Sequence, residues 1–278
     1  MKFDIAHLSD LHFGNPKAHL RRSDVSKALD TVLAQLKAPA SLLIISGDIT
    51  FQGNKEGYKE AAEAIKSAIE RHHMPASNVF VCPGNHDIVI EELGNPYFTS
   101  FDAWSAQVRN DKFCTFANRP ARLIKNEIGD FLLLNTAYHA DHKMGLVDLA
   151  AVKELLKNES HAPKGEPQRL RVAILHHHIV PVLPEDTSTT RNAYELIGLL
   201  DKHGFSAVLH GHQHAILDLT IGQSKMRLSG VGSFGYLTAG YMNSVAVYRG
   251  QEGAIERVER YGLTLDSSTG IVQILETN

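Results

Sequence analysis

Val81-Cys82-Pro83-Gly84-Asn85-His86-Asp87 is the stretch whose reading decides the fold. The short run from Asn78 to Val81 is stopped by Pro83-Gly84, and an amide, an imidazole and a carboxylate follow at once. This predicts a buried strand that delivers three polar side chains to the rim of a sheet. Taken alone, a polar turn after a strand explains it equally well. What separates the two readings is recurrence.

Phe3 to Ser9 leads into Asp10-Leu11-His12, and Ser41 to Ser46 into Gly47-Asp48. Leu170 to Leu175 leads into His176-His177-His178, and Phe205 to Leu209 into His210-Gly211-His212-Gln213-His214. Helical periodicity fills the gaps over Ser23 to Lys37, Asn54 to His72, Asp148 to Asn158 and Asn192 to His203. Ala121 to Lys125 and Phe131 to Asn135 read as paired strands, and a Pro/Lys/Gly/Glu-rich linker runs to Gln168. Alternating strands and helices with polar strand ends make an α/β protein whose site lies at strand carboxyl ends. From Ala215 the pattern becomes β segments, ending with Ile271 to Leu275. No repeat or boundary breaks the chain, so one domain over 1-278 is expected, with the β segments of 215-275 completing the second sheet.

Composition narrows the function. The 278 residues are 43% hydrophobic and 21% charged with net charge −3, so no overall positive field draws in nucleic acid or anionic lipid. Cys82 and Cys114 are too few for a disulfide framework or a thiolate metal site. No apolar run approaches a membrane span, and the N-terminus meets a strand without a signal peptide's apolar region. A cytoplasmic protein is expected. Sixteen histidines are the unusual entry, many of them clustered. His72 and His73 read as a helix-end cap.

Asp10, His12, Asp48, Asn85, His176, His212 and His214 together form a set of hard oxygen and imidazole donors. Such a set suits Mn, Fe, Zn or Co. It is too large for one ion but fits two divalent metal ions about 3.5–4 Å apart, the clamp used for in-line displacement at phosphorus. In an extended segment Asp10 and His12 point to the same side. Asp48, on a tight glycine turn, would bridge by offering two oxygens on opposite sides. Unconnected histidines do not explain why every donor follows an apolar strand.

These ordered motifs resemble those of the calcineurin-like metallophosphoesterases, over residues 3 to 234. Arg191-Asn192-Ala193-Tyr194-Glu195-Leu196 and the His triplet look most like the cyclic-nucleotide branch related to bacterial cAMP phosphodiesterase. The resemblance implies a β-sandwich of two mixed sheets flanked by helices. It implies that Asp10, His12 and His214 hold one metal, that Asn85, His176 and His212 hold the other, and that Asp48 bridges. It further implies in-line attack on a small phosphoester by a hydroxide between the metals, with His86 as the catalytic residue protonating the leaving oxygen. Manganese and iron head the metals expected.

His139 and His142, in the loop Tyr138-His139-Ala140-Asp141-His142, and His178 are substrate candidates. A solvated loop is the plainer reading for the first pair, and a supporting role for His177 and His178. The aromatic stretch from Glu91 to Asn118 reads as packing with a part as pocket wall or lid, and it or the C-terminal β segments as a homodimer contact.

One departure matters. Protein-phosphatase members continue Gly-Asp into a second Asp and an Arg, which orient the histidine and grip a phosphomonoester. Here Phe51 and Gln52 stand there. Loss of a guanidinium weakens the hold on a dianionic monoester more than on a monoanionic diester. A phosphodiesterase acting on a cyclic nucleotide is therefore the leading expectation, ahead of a phosphomonoesterase or pyrophosphatase, a nuclease and a non-catalytic scaffold. The partner orienting His86 is left unidentified; Asp87 is its neighbour.

Overall fold

The computed structural model describes residues 1–16, 22–89, 97–140, 142–159, 169–236, 242–265 and 272–276. β1 (Lys2–Leu8), α1 (Arg22–Leu33), β2 (Ala40–Ser46), α2 (Lys55–Arg71) and β3 (Val79–Cys82) follow one another as strand-helix units. Leu42 to Ile45 of β2 are all fully buried, as an unbroken apolar strand requires when both faces are covered. α2 turns Tyr58, Ala61, Ala62, Ile65, Ala68 and Ile69 inward. It starts at Asn54, whose side chain accepts the Gly57 N–H at 2.8 Å. α1 stops at Leu33 rather than running to Lys37. The buried Asp4 carboxylate accepts the N–H groups of Lys37 (2.6 Å) and Ala38 (2.9 Å) there, drawing the chain out of the helix toward β2.

α3 (Thr99–Arg109) runs through the aromatic stretch, whose sequence reads as packing without a helix. Phe98, Phe101, Trp104 and Val108 recur at helical spacing and are buried, as is Phe116. They are core, and no described residue from 97 to 118 lines the cleft described below. Residues 91–96 of that stretch lie outside the described residues.

The remaining elements are β4 (Ala121–Lys125), β5 (Gly129–Leu134), α4 (Leu149–Leu156), β6 (Leu170–Ile174), α5 (Ala193–Lys202) and β7 (Ala207–His210). After them come β8 (Leu217–Ile221), β9 (Met226–Gly230), β10 (Ser244–Gln251), β11 (Ala254–Leu265) and β12 (Val272–Glu276). One mixed sheet runs β12-β11-β10-β1-β2-β3, the other β4-β5-β6-β7-β9-β8. The C-terminal segments are therefore divided: β8 and β9 extend one sheet, and β10 to β12 extend the other.

Period-two alternation shows why the sheets stack. Phe131, Leu133, Val172, Ile174, Ala207 and Leu209 join the core shared with the first sheet, where Phe131 meets Phe80 with ring centroids 5.0 Å apart. Leu132, Leu134, Ala173, Leu175 and Val208 point the other way, into a second cluster with Val152, Leu156, Leu196 and Leu200 of α4 and α5. The carboxyl ends of β1, β2, β3, β6 and β7 then share one rim.

Asp87 ties that rim together. Its fully buried carboxylate accepts N–H groups from Gly84 (3.0 Å), Ile49 (3.2 Å) and Thr50 (3.2 Å), and the Tyr58 hydroxyl (3.0 Å). Burial and the nearby Asp48 push this carboxyl up to about 7, against the pull of those N–H groups. Asp87→Ala strands several buried donors at once, and is expected to lower the free energy of unfolding by on the order of 3 kcal/mol, against about 1 kcal/mol for Tyr58→Phe. Urea midpoints of the two variants check this; equal losses would contradict the role of Asp87 as the common acceptor.

Candidate active site

The loops at the rim are built on strained backbone. Asp10, His12, Asp48, His212 and His214 all adopt left-handed φ, between 50° and 72°. This costs about 1 kcal/mol or more per non-glycine residue and persists only where the surroundings enforce it. It also corrects one expectation. β1 ends at Leu8, and Asp10 and His12 face one site through a turn, not through strand alternation. The turn is held by Asp10 N–H on the Gly47 carbonyl (3.1 Å) and His12 N–H on the Asp48 carbonyl (3.0 Å).

Two glycines are dictated by close approach. A Cβ on Gly47, at φ 93°, would sit 2.5 Å from Nδ1 of His176, and one on Gly84 would collide with Asp48 Oδ1. Each motif thus leaves room for a donor of another motif.

The donors form three overlapping groups, Asp10/His12/His214, His12/Asp48/His86 and Asp48/His176/His212, with the ligand atoms of each within 4.8 Å of one another. His214 Nε2 lies 3.2 Å from Asp10 Oδ1, which is 3.7 Å from His12 Nε2. His176 Nε2 lies 3.0 Å from Asn85 Oδ1, 3.1 Å from His212 Nδ1 and 3.2 Å from Asp48 Oδ2. The same Oδ2 is 3.9 Å from His12 Nε2. Asp48 therefore joins the two halves through one oxygen, not two, because Oδ1 accepts the His86 N–H at 2.8 Å.

This arrangement fits cations. His176 Nδ1 is 2.8 Å from the Ser46 carbonyl, an acceptor, so Nδ1 carries a proton and Nε2 is the nitrogen turned toward Asn85, His212 and Asp48. Both ring nitrogens of His12 are buried with no hydrogen-bond partner among the described residues. Burial, opposed by Asp48 and Asp10, pushes His12 down to about 4. Burial and His176 push His212 down to about 3. Burial would raise both carboxyls, but His214 and His176 hold Asp10 low, and His176, His86 and His12 hold Asp48 low. Burial is outweighed by Asp48 and Asp10 at His176, raised to about 9. Metal would take the carboxylates ionised and the imidazoles neutral, so an ion bound at His176 would displace a proton that the carboxylates around it favour.

The three substrate candidates fall elsewhere. His139 and His142 have exposed side chains that do not line the cleft. His142 contributes its backbone carbonyl instead, accepting Asn85 Nδ2–H at 3.0 Å and so turning the Asn85 oxygen toward His176. His178 is fully buried, 2.6 Å from Asp186 and stacked on the His212 ring, with centroids 5.6 Å apart. Gln213 donates to the same Asp186 at 2.9 Å, fastening the segment between His212 and His214. His177 packs on His212 from another side, centroids 4.5 Å apart, with Nδ1 on the Thr136 hydroxyl.

A cleft of about 470 Å³ opens over the donors, walled by His12, Asp48, His86, His212 and His214 and by Asn15, Pro16, Phe51 and Tyr236. Tyr236 escaped sequence reading because an aromatic after a β segment looks like packing. Its place follows from Ser233 to Gly235, which bind the first motif through Ser233 Oγ on the Asp10 carbonyl, Phe234 N–H on Ser9 and Gly235 N–H on Asp10.

The calcineurin-like phosphoesterase family model matches residues 3–215, so the chain belongs to that family of phosphoesterases. Among solved structures, a dimetal phosphatase from Danio rerio is similar at TM-score 0.57 and 12% identity, over 94% of this chain and 95% of that one. The purple acid phosphatase PPD1 from yellow lupin (Lupinus luteus) seeds gives TM-score 0.60 and 12% identity, over 99% of this chain and 53% of that one. These likenesses show the shared fold. No curated protein sequence matches the chain significantly. No helix among the described residues is long and apolar enough to cross a membrane.

Metal should bind without substrate. Calorimetric titration of chelator-stripped protein with Mn²⁺ is expected to give two ions per chain, and saturation at a hundredfold above Kd to stabilise the fold by about 2.7 kcal/mol per site. Asp48→Ala should lose at least one of them; a native stoichiometry of one or none would contradict the paired site.

Proposed function

We propose that the chain is a two-metal phosphodiesterase that hydrolyses a small nucleotide-type diester, cyclic nucleotides first. The observation that carries this reading is the Phe51 ring stacked beside His86 in the cleft wall, followed by Gln52 where a phosphomonoesterase of the family has its arginine. A monoanionic diester needs less counter-charge than a dianionic monoester, and tolerates an apolar wall. The cleft volume is that of a small-molecule site.

In this reading Asp10, His12 and His214 hold one ion, Asn85, His176 and His212 hold the other, and Asp48 Oδ2 lies between. Manganese and iron are the first metals to test. Bound there, the ions supply the charge that stabilises an in-line displacement at phosphorus. The residues do the rest. Asn85, fixed by the His142 carbonyl, keeps its oxygen on the site, and His86 stands at the cleft wall with an imidazole able to give a proton. Water loses a proton to solvent as its oxygen joins phosphorus, one ester P–O bond breaks, and protonated His86 gives its proton to the departing oxygen. The products are a phosphomonoester and an alcohol, which for a cyclic substrate stay on one molecule. Free, buried Cys82 and Cys114 suit a reducing cytoplasm, the setting we propose.

Hydrolysis of bis(p-nitrophenyl) phosphate against p-nitrophenyl phosphate in Mn²⁺ tests the reading. A higher kcat/KM on the diester is expected, with Asp48→Ala lowering it by a thousandfold or more, on the order of the loss of a main charge-stabilising group. A monoester preference would replace this reading with a phosphatase, and would remove the inference drawn from Phe51.

A further inference from the structure

We propose that Phe51 is the positioning residue of His86: its ring holds the imidazole by stacking, in place of a hydrogen-bonded carboxylate. The inference rests on the reading that His86 protonates the leaving oxygen.

The acid next to His86 in the chain is not available for the task. Asp87 is buried beneath the turn with both carboxylate oxygens taken by Gly84, Ile49, Thr50 and Tyr58. What lies against the His86 ring is Phe51, with centroids 5.3 Å apart and planes 23° from parallel. His12 meets the same imidazole edge-on, at 5.0 Å and 85°. Stacking below and an edge contact beside leave the ring few rotamers.

The plate is itself immobilised. Phe51 N–H donates to the Phe13 carbonyl at 3.0 Å, and the Phe51 carbonyl accepts from Asn54, the residue that caps α2, at 3.2 Å. Gln52 and Gly53 then take left-handed φ of 54° and 64°, and Gly53 N–H donates to the His86 carbonyl at 2.7 Å. His86 N–H is held by Asp48 Oδ1 at 2.8 Å. The backbone that carries the plate is thus bonded directly to the backbone that carries the imidazole, so ring and plate move as one. A flat face is what the position uses: leucine would fill similar space and leave the imidazole free to turn.

Phe51→Leu, Phe51→Tyr and His86→Ala are the variants to compare, with two readouts. The first is the NMR spectrum of histidine-labelled protein in Zn²⁺, where the His86 ring protons are assigned by their loss in His86→Ala. They are expected upfield in the native chain and in Phe51→Tyr, and back at ordinary positions in Phe51→Leu. The second is kcat on methyl aryl phosphates running from p-nitrophenyl, which departs without a proton, to p-methoxyphenyl, which needs one more. Phe51→Leu should cost on the order of tenfold in kcat on the poorest leaving group and little on p-nitrophenyl. Phe51→Tyr should restore the rate, and Phe51→Leu should cost nothing further once His86 is alanine.

Losses equal across the series, or persisting in the His86→Ala background, would overturn the proposal, as would His86 resonances unmoved by Phe51→Leu. A series left flat by His86→Ala itself would instead overturn the acid role of His86, and with it any rate effect of Phe51. The resonance positions decide the stacking in either case.

Discussion

Lone pairs pointed at one another are the constraint on which this structure turns. Asp10, Asp48, Asn85 and the imidazoles of His12, His176, His212 and His214 crowd together, neighbouring donor atoms 3.0–3.9 Å apart, and most of them are acceptors in their metal-ready forms. Left to itself such a cluster would fly apart or take up protons. It is kept by backbone as well as by the His214–Asp10 and His176–Asp48 pairs: left-handed residues at five of its corners, glycines that yield space to Asp48 and His176, and strands stacked behind. The strain and the repulsion are offset by the apolar core, and are discharged when positive charge enters. A protein of this design is more stable loaded than empty, and its stability and its chemistry share one origin.

Asp87 shows how an uninvolved carboxylate makes this possible. Seen in the sequence beside His86 it looks like a catalytic partner, yet its oxygens are spent on main-chain N–H groups of the β2 and β3 loops. These groups cannot reach water, and without an acceptor their burial would cost more than the turn could bear. Fixing the two loops to each other fixes Asp48 relative to Asn85 and His86. The precision of the site is therefore set one layer below it.

Much of this was legible beforehand, and for a physical reason. Apolar strands that end in hard donors repeat a pattern with few uses, so the α/β order and the seven donors that the structure gathers could be read from residue type and position, while the two mixed sheets followed from the family resemblance. What escaped depends on backbone direction or on contacts distant in the chain. Strand alternation gave the right pairing of Asp10 with His12 by the wrong route, since nothing in Asp-Leu-His announces left-handed φ. The single bridging oxygen of Asp48 follows from the His86 N–H that occupies the other. His142 acts through a carbonyl, which every residue owns, so its imidazole was a false signal. α3 had helical spacing at Phe98, Phe101, Trp104 and Val108, and these residues read as packing, but the helix itself went unread among so many aromatics.

Phe51 joins these strands of argument. Charge near a phosphoryl group both binds and selects: a fixed cation draws in the more highly charged ester, and an aromatic face gives that up. The same exchange alters how the neighbouring imidazole is held. A carboxylate partner fixes a histidine through one nitrogen and adds negative charge to a site already rich in it. A stacked ring fixes the plane, adds no charge and leaves both nitrogens for the chemistry. In a rim that already concentrates Asp10, Asp48 and Asp87 within a few residues' reach, an uncharged support is the less costly solution. Substrate charge and histidine support then follow from two adjacent replacements after Gly47-Asp48, Gln52 for the cation and Phe51 for the carboxylate.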